Sequence, residues 1–491
     1  MGAGAVFPGH SRGVRGMKPA RNLWKSPRRC GKTSGHFMNT PSDQVSELNR
    51  RDFLRGGSVA TLMTILGGVE LRAATPKNAE GKELTGAKVK CAVIGLGPWG
   101  REIVSTLQRI PEADIAVLCD TYEPMLRRSA GNVPGAATTT DYKSILENKD
   151  IKAVFIATGS HQHRDLVVAA LQAGKHVYCE APLAHTIEDA RAIAAAAKAA
   201  VGQVFQPGLH LRSDPQRRFI LPFYRSGAIG KTVMCRAQWH KKQSWRASSP
   251  NAEREKAVNW RLDKATSPGL IGELGIHAVD EFNWFLKERP TAVTGFGGVM
   301  QWNDGRSVPD TVQAVFEYPG GIQTIYDATL ANSFDSEYEV LYGSDAAILM
   351  RSNKAWLFKE VDSALLGWEV YARKDVFGKE TGIALVAGAS KSATQDEGAA
   401  TDVAPVSAML IWALDAFLSN VNTIGDAAVD FVDSFGAGNK AALAKHLEAL
   451  PKQYAATWHE GLEATIVALK ANEAINERKR VVIPPDLFEI A

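Results

Sequence analysis

The sequence predicts an α/β protein with two domains, an N-terminal one on a parallel sheet and a C-terminal α+β one with a mainly antiparallel, open sheet. Strand and helix patterns alternate from Lys88 to about Gln206, as in a parallel sheet with helices on both faces. After Pro207 the chain becomes rich in β patterns separated by glycine turns. We therefore place the first domain at residues 86–206 and the second at residues 207–491.

The first domain opens with an apolar run, Val89–Ile94, that predicts a buried strand. A glycine turn follows, Gly95-Leu96-Gly97-Pro98-Trp99-Gly100, and then a helical pattern and a second apolar run that ends at Asp120. This order is typical of a dinucleotide-binding unit, with an ordinary glycine-rich βα turn as the alternative. The glycines allow a pyrophosphate to approach the helix N-terminus, and Asp120 is placed to accept hydrogen bonds from an adenosine ribose.

The other elements of the first domain follow in order. Ile151–Thr158 and His176–Cys179 predict strands, with a helix between them that ends at Gly174. Thr186 begins a capping pattern before an alanine-rich helix, and Val204–Gln206 predicts the last strand.

The second domain is predicted to contain a helix from about Gly272 to Leu286, followed by strands and two closing helices. The predicted strands are Ala292–Met300, Thr311–Tyr318, Ile322–Thr329, Tyr338–Tyr342 and Ala346–Met350. Residues 388–405 predict a surface loop, Val406–Leu418 and Leu462–Ile475 predict the closing helices, and Val481–Ile483 predicts a docking strand.

Charge is concentrated near the N-terminus. The 491 residues carry a net charge of +4, but residues 1–55 hold eleven Lys or Arg against three acids, so they account for +8 and the remainder for −4. A mildly acidic body argues against a nucleic-acid partner. No run of ~18 apolar residues predicts a membrane span.

The basic segment, residues 1–74, is typical of a bacterial twin-arginine export signal. Arg50-Arg51 precedes a weakly apolar stretch, and small residues follow at Ala73-Ala74. Glu70 and Arg72 are unusual so near a cleavage site, and a chance arginine pair in a helix is the alternative. We expect export to the periplasm or another extracytoplasmic space.

Glu180-Ala181-Pro182 follows a predicted strand at the same sheet edge as the glycine turn. Ligands bind at this edge in open parallel sheets, so Glu180 is a candidate for binding a nicotinamide ribose. Pro182 would fix the turn, and a purely structural turn is the alternative.

The helix predicted from Gly272 carries one polar stripe at spacings i, i+4, i+7 and i+11: Glu273, His277, Asp280 and Trp284. An imidazole flanked by carboxylates suits general acid–base catalysis, because a carboxylate orients the ring and raises its basicity. A histidine satisfied by its helical neighbours is one alternative. A metal site is another, although no third ligand is evident, and we predict no metal.

An aromatic and basic cluster precedes this helix, and it consists of Trp239, His240, Lys241, Lys242, Trp245, Trp260 and Arg261. Indole rings stack on sugar faces, and basic side chains bind hydroxyl or carboxylate groups. Trp260, Arg261 and Lys241 are therefore candidate substrate-binding residues, with burial in a core as the alternative for the tryptophans.

Taken together, the chain resembles the Gfo/Idh/MocA family, which includes glucose–fructose oxidoreductases and inositol dehydrogenases. The resemblance spans Lys88 to Met350 and rests on the glycine turn with Asp120, Ala157-Thr158 with His163, Ala173-Gly174-Lys175-His176-Val177, Glu180-Ala181-Pro182, and Glu273 to Asp280. It implies a Rossmann domain that binds NAD or NADP, and a second domain that often forms homodimers or tetramers. It also implies cofactor contacts at Thr158, His163, Glu180 and Pro182, and His277 as proton acceptor with Glu273 as an orienting or substrate-binding group.

Two residues depart from the family pattern. The family usually has Glu-Lys-Pro, whose lysine assists proton transfer, whereas this chain has Ala181. His185 or the Lys241/Lys242 pair are the candidates to replace it. Glu273 stands where the family commonly has an aspartate, which keeps the carboxylate but lengthens its arm.

The sequence thus predicts an exported NAD(P)-dependent oxidoreductase that takes a hydride from a hydroxyl of a sugar or sugar derivative. His277 would accept the proton, while Glu273 and Asp280 hold the imidazole and substrate. Asp120 favours NAD as the cofactor, because its charge repels the 2′-phosphate of NADP. Arg127 and Arg128 keep NADP as an alternative cofactor. We expect the cofactor to stay tightly bound. A glycoside-cleaving enzyme that oxidises transiently and eliminates is one alternative, and a non-catalytic cofactor- or sugar-binding protein is another.

Overall fold

A computed structural model describes most of the chain beyond the leader: residues 87–351, 354–365, 369, 374–377, 380–385, 406–436 and 438–490. The predicted export signal at residues 1–74 and the predicted loop at 388–405 lie outside the described residues.

Six parallel strands form the first sheet: β1 (Val89–Ile94), β2 (Ala113–Cys119), β3 (Ala137–Thr139), β4 (Ala153–Ile156), β5 (His176–Cys179) and β6 (Phe205–Pro207). The helices that connect them in turn are α1 (Pro98–Leu107), α2 (Glu123–Ala130), α3 (Tyr142–Glu147), α4 (His163–Gln172) and α5 (Ile187–Ala199). The strand order is β3-β2-β1-β4-β5-β6, so the chain changes direction across the sheet between β1 and β4. Ligands of doubly wound sheets bind outside the carboxyl ends of the strands at this switch point.

The second sheet contains ten described strands: β7 (Thr232–His240), β8 (Ala292–Gly298), β9 (Thr311–Glu317), β10 (Gln323–Thr329), β11 (Glu337–Gly343), β12 (Ala346–Arg351), β13 (Lys354–Lys359), β14 (Lys374–Phe377), β15 (Glu380–Ala384) and β16 (Arg480–Val482). Their order is β14-β15-β13-β12-β11-β7-β10-β9-β8-β16. Only the β7–β10 pair among them is parallel. The predicted fold class, a parallel-sheet domain followed by a mainly antiparallel one, is confirmed.

Six further helices follow residue 206 in the described chain: α6 (Pro215–Arg225), α7 (Ala252–Val258), α8 (Ile276–Leu286), α9 (Val406–Phe435), α10 (Lys440–Glu448) and α11 (Trp458–Glu477). No helix in the ranges given above is both long and apolar enough to cross a membrane.

Strand β7 was not among the predicted strands, although it lies near the middle of the second sheet. Its inner face carries Cys235 and Ala237, which are buried, whereas Arg236 on the other face contacts Asp327 at 3.4 Å. The strand has few β-branched or aliphatic residues, so its period-2 pattern is weak in the sequence.

Helix α9 is longer than the predicted helix at 406–418, and it packs on the core of the first sheet. Phe417 stands edge-on to Phe155 of β4, with ring centroids 5.2 Å apart. Leu410 and Leu414 are completely buried in the same cluster. The boundary at residue 206 thus separates the two sheets, but a helix from beyond it completes the core of the first domain.

Helix α11 joins the two domains. Leu462 and Ile466 belong to the core of the first sheet, whereas Val467 and Ile475 belong to the core of the second. Its Gly461 lies so close to Pro207 that a Cβ added there would be 2.9 Å from the proline ring.

The glycine turn depends on two close backbone approaches. Gly95 has a φ of +93°, and a Cβ at Gly100 would lie 1.9 Å from the carbonyl oxygen of Gly95. A Cβ at Gly97 would meet no atom within 4 Å. Gly95 and Gly100, the first and third glycines, are therefore the ones required for the fold of the turn itself.

We expect Gly100→Ala to lower the free energy of unfolding by roughly 1–3 kcal/mol, because the methyl group must displace the Gly95 carbonyl. Gly97→Ala is the matched control and leaves the free energy of unfolding within about 0.5 kcal/mol of the wild type. Urea titration of both variants measures the difference, and equal stabilities would show that the turn tolerates a side chain at residue 100.

Candidate active site

A cavity of about 730 Å³ lies at the carboxyl edge of the first sheet, against the inner face of the second. Its wall includes Trp99, Thr158 and Glu180 from the first domain, and Glu273 and His277 from the second. A volume of this size is in the range that small-molecule sites occupy. Both domains thus contribute polar side chains to one cavity, and several of the predicted site residues lie in its wall.

The glycine turn leads to an open helix end. Helix α1 begins at Pro98, and no side chain caps the N–H groups of its first turn. Asp120 accepts hydrogen bonds from the Leu96 amide and from the Tyr122 amide, both at 2.8 Å. Because each carboxylate oxygen accepts more than one hydrogen bond, Asp120 retains capacity for ribose hydroxyls. The open helix end and the free space at Gly97 fit the pyrophosphate and adenosine ribose of NAD.

Glu180 lies beyond β5 beneath the cavity. It is 9% exposed, and its Oε1 has no hydrogen-bond partner among the described residues. Burial raises the pKa of Glu180 to about 7, while the neighbouring Trp99 and Tyr178 side chains moderate the rise. An unpaired buried carboxylate oxygen in the cavity wall fits a ribose hydroxyl of the nicotinamide half of NAD.

His163 holds two loops of the sheet edge together. Its ring nitrogens lie 3.0 Å from the Pro182 carbonyl oxygen and 3.2 Å from the Thr158 carbonyl oxygen. Burial lowers the pKa of His163 to about 4, so the ring is neutral at pH 7 and can donate to only one of these carbonyls. The side chain positions Thr158 and Pro182, both of which were predicted as cofactor contacts.

The predicted helix at residues 272–286 begins differently in the structure. Ile271–Gly275 forms a single π-helical turn, and α8 starts at Ile276. Cβ atoms added at Gly272 or Gly275 would lie 2.4 Å from the Pro268 ring and 2.9 Å from the Tyr326 ring. The wide turn breaks the even i, i+4 spacing that the sequence predicts between Glu273 and His277.

Glu273 contacts groups other than His277. It accepts a hydrogen bond from Arg261 Nε at 3.1 Å, from Ser267 Oγ at 3.3 Å and from Ser160 Oγ at 3.4 Å. Burial raises its pKa, and the Arg261 guanidinium opposes that rise. Glu273 was predicted to orient the His277 imidazole. Its hydrogen bonds are instead with Arg261, Ser267 and Ser160, and they fix the cavity wall.

Asp280 was predicted to contact the imidazole and substrate, but it lies in a buried ion pair outside the cavity wall. Arg212 donates to both of its oxygens at 2.8–3.0 Å, and Asp280 is 2% exposed. Burial raises the pKa of Asp280 to about 6 against the opposing effect of Arg212. Asp280 pairs with Arg212 and not with the imidazole because a buried guanidinium requires a carboxylate partner.

His277 faces the cavity without the predicted carboxylate partner. Its Nδ1 has no hydrogen-bond partner among the described residues, and burial lowers its pKa to about 4. The ring is therefore neutral at pH 7, and its unprotonated nitrogen can accept a proton. The ring of His210 lies beside it, with centroids 4.4 Å apart.

The predicted aromatic and basic cluster divides between two surfaces. Trp260 and Arg261 line the cavity together with Trp239, Lys241 and Trp245. The Arg261 guanidinium lies 5.0 Å from the Trp260 ring and 5.7 Å from the Trp245 ring. His240 lies on the opposite face of β7, where it binds Asp327 at 2.7 Å. The wall thus offers stacking surfaces and an arginine to a ligand in the cavity.

Sequence reasoning missed His210, Tyr326 and the buried cluster in which Arg217 contacts Asp214, Glu281 and Glu339. One signal was available for His210, because it lies three residues after Pro207, the last residue of β6. Side chains that follow parallel strands converge at the same sheet edge.

Two family profiles match the chain. The first, the oxidoreductase family with an NAD-binding Rossmann fold, matches residues 89–208, and the second, the GFO/IDH/MocA C-terminal domain, matches residues 223–349. The chain belongs to the Gfo/Idh/MocA family. Its first domain is an NAD-binding Rossmann domain, as the resemblance implied.

Several curated relatives of this Gfo/Idh/MocA protein are named for a sugar or polyol substrate. It is 32% identical over 152 residues to levoglucosan dehydrogenase of Pseudarthrobacter phenanthrenivorans, covering 31% of this chain and 37% of that one. It is 28% identical over 225 residues to 1,5-anhydro-D-fructose reductase of Ensifer adhaerens, covering 44% of this chain and 61% of that one. The chain therefore spans less than two thirds of the length of these two relatives.

Solved structures share the fold. An oxidoreductase domain protein from Kribbella flavida superposes with a TM-score of 0.61 at 20% identity, covering 81% of this chain and 100% of that one. Levoglucosan dehydrogenase in complex with NADH and L-sorbose superposes with a TM-score of 0.61 at 18% identity, covering 81% of this chain and 99% of that one.

We expect the free energy of unfolding of the wild type, measured relative to that of Glu180→Gln, to fall as pH rises from 4.5 to 7. The native state keeps the Glu180 proton up to about pH 7, whereas the unfolded carboxyl loses it near 4.5, so the native state binds more protons in this range. Glu180→Gln removes this contribution, so the difference from the wild type separates it from that of the buried histidines His163 and His277, which has the opposite sign. Urea titrations at several pH values measure it, with exposed Glu147→Gln as the control that keeps the wild-type slope.

Proposed function

We propose that the protein is an NAD-dependent oxidoreductase that oxidises a hydroxyl group of a sugar or sugar derivative. The observation that carries the proposal is the neutral, buried imidazole of His277 in the cavity wall that Glu180 and Trp99 share. A neutral imidazole is a general base for a hydroxyl proton.

Different residues of the chain bind the cofactor and accept the proton. The open end of α1 and Asp120 bind the pyrophosphate and adenosine ribose, and Glu180 accepts a hydrogen bond from the second ribose. Bound NAD supplies the hydride acceptor. His277 takes the hydroxyl proton, and burial of the site excludes water from the ring.

The choice of sugar substrates rests on the cavity wall and on the named relatives. Trp260, Trp245 and Arg261 form a stacking and hydrogen-bonding surface opposite the sheet edge. Indole faces suit the C–H faces of pyranose rings, and a guanidinium donates to hydroxyl oxygens. The relatives named above act on levoglucosan and 1,5-anhydro-D-fructose by their names, and other relatives are inositol 2-dehydrogenases.

We expect His277→Ala to lower kcat on the best sugar of a panel by about 10²–10⁴-fold, because the proton acceptor is lost. The Kd for NAD stays within about threefold of the wild-type value, since His277 belongs to the second domain. Absorbance at the NADH band measures turnover, and quenching of tryptophan fluorescence measures NAD binding. Unchanged turnover would remove His277 from the mechanism.

The same panel separates the alternative functions. Release of an aglycone from a glycoside without net NADH would identify an oxidation–elimination enzyme. Tight sugar or NAD binding with no turnover on sugars or glycosides would identify a binding protein. We propose NAD over NADP because of the Asp120 charge, and a resident cofactor, which denaturation of the purified protein would release in stoichiometric amount.

We further propose that residues 1–74 direct twin-arginine export, on the strength of Arg50-Arg51 and the stretch that follows it. Changing both arginines to lysine is expected to leave the full-length protein in the cytoplasm of a bacterial host. The matched control changes Arg28-Arg29 to lysine and leaves export unchanged, and cell fractionation measures both. Export that survives the change at residues 50 and 51 would contradict the proposal. Assembly into a homodimer or tetramer stays a prediction.

A further inference from the structure

The position of the usual family lysine is apolar in this protein. Ala181 lies in the cavity wall, and it packs beside Leu209 and Ile276. None of these side chains holds or moves a proton. If the proposed oxidation is correct, the group that assists His277 must come from another part of the chain.

The two replacements that the sequence suggests are poorly placed. His185 stands edge-on to His161 with ring centroids 6.1 Å apart, and among the described residues it does not belong to the cavity wall. Lys241 does line the cavity, but it is exposed, so water competes for its ammonium group.

His210 is the group that the fold brings to this place. It follows β6, the strand beside β5, and so shares the sheet edge from which Glu180 and Ala181 emerge. The intervening Gly208 lies so close to Glu180 that an added Cβ would be 3.1 Å from the Glu180 Cα. This close approach brings the segments after β5 and β6 together, and both Ala181 and His210 line the cavity.

The ring of His210 lies between two other members of the cavity wall. Its centroid is 4.4 Å from that of His277, with the planes 34° apart, and 6.2 Å from that of Trp99. His210 is 8% exposed, and its Nδ1 has no hydrogen-bond partner among the described residues. Burial first, and then the neighbouring His277, lower the pKa of His210 well below its usual value.

Two neutral imidazoles side by side offer complementary groups. Each carries one N–H donor and one nitrogen acceptor. A hydroxyl group that loses its proton needs an acceptor for that proton and a donor for the negative charge that grows on its oxygen.

We propose that His210 is a second catalytic residue and acts in place of the missing lysine by donating an N–H hydrogen bond to the reacting hydroxyl oxygen. This inference rests on the proposed function. In the reaction the O–H bond breaks and the proton binds the free nitrogen of His277. The C–H bond breaks with its electron pair as the C=O bond forms, and NAD, when held by Asp120, Glu180 and the open end of α1, would accept that pair as hydride. His210 keeps its proton and holds the oxygen throughout.

Three variants test the assignment. His210→Phe keeps the ring shape but removes both nitrogens, and we expect kcat to fall by about 10²–10³-fold, as for the loss of an oxyanion donor. His210→Asn keeps a donor and loses less, about tenfold. His185→Phe is the matched control, and it leaves kcat within about threefold of the wild type. In all three the Kd for NAD, from tryptophan fluorescence, stays within about threefold.

A restoration experiment separates a catalytic role from a packing role. We expect Ala181→Lys added to His210→Phe to raise kcat at least about tenfold above the single variant, because it returns a donor to the same oxygen. A purely structural defect would not respond to this change. A readout independent of turnover is the ¹⁵N spectrum of the histidine rings in the NADH complex. The His210 signals, identified by their loss in His210→Asn, shift when the oxidisable sugar is added.

The outcomes distinguish the two proposals. A wild type that turns over a sugar, together with a His210→Phe variant within threefold of it, overturns the role of His210 and leaves the proposed function standing. A wild type that binds NAD but oxidises no sugar overturns both. If His210→Phe fails to fold, the ¹⁵N spectrum of the wild type decides, and His210 signals that do not shift when the oxidisable sugar is added would falsify the assignment.

Discussion

The close packing of α11 against the edge of the first sheet is the constraint on which the candidate site depends. Gly461 lets the helix approach Pro207 and Leu183, and Thr465 accepts a hydrogen bond from the Leu183 amide at 3.0 Å. These contacts fix the loops that follow β5 and β6. Because Glu180 and His210 lie on those loops, the helix sets their distance from His277, which belongs to the second domain. A larger residue at position 461 would separate the two halves of the cavity.

Burial at this junction sets the protonation states. Desolvation lowers the pKa values of His210 and His277 and raises those of Glu180 and Glu273. Each group is thereby shifted toward its neutral form, although the Arg261 cation limits the rise in the pKa of Glu273. The cavity therefore presents neutral bases and unpaired hydrogen-bonding atoms. Such groups interact strongly with a ligand, since little water competes for them.

The sequence predicted the first sheet well because its signals are local. The apolar strands, the glycine turn and Asp120 follow one another within 32 residues, and their order alone indicates the fold. The second domain was harder. Strand β7 has a weak alternating pattern, and the π-turn at Ile271–Gly275 changes a helical register that the sequence predicts as regular. His277 could be predicted as a site candidate because its neighbours in sequence form a recognisable pattern, and the structure places it in the cavity wall.

Long-range contacts explain the errors in the site. Asp280 was predicted to contact the His277 imidazole because the two residues are three positions apart. In the structure both Asp280 oxygens accept hydrogen bonds from Arg212, which lies 68 positions earlier in the chain. Glu273 likewise contacts Ser160, 113 positions away. His210 carries no motif, and only the pairing of β5 with β6 shows where it lies. Local spacing identifies the residue types of this site, whereas the fold decides which of them meet.

The packing of α9 on the first sheet has a consequence for synthesis of the chain. Phe155 and Tyr178 lie in the nucleotide-binding domain, and besides contacting each other both pack against Phe417. A nascent chain that has emerged only as far as β12 would expose both rings, although all six strands of the first sheet would be present. Since chains emerge from the ribosome N-terminus first, this domain completes its core only after the helix that contains Phe417 has been made.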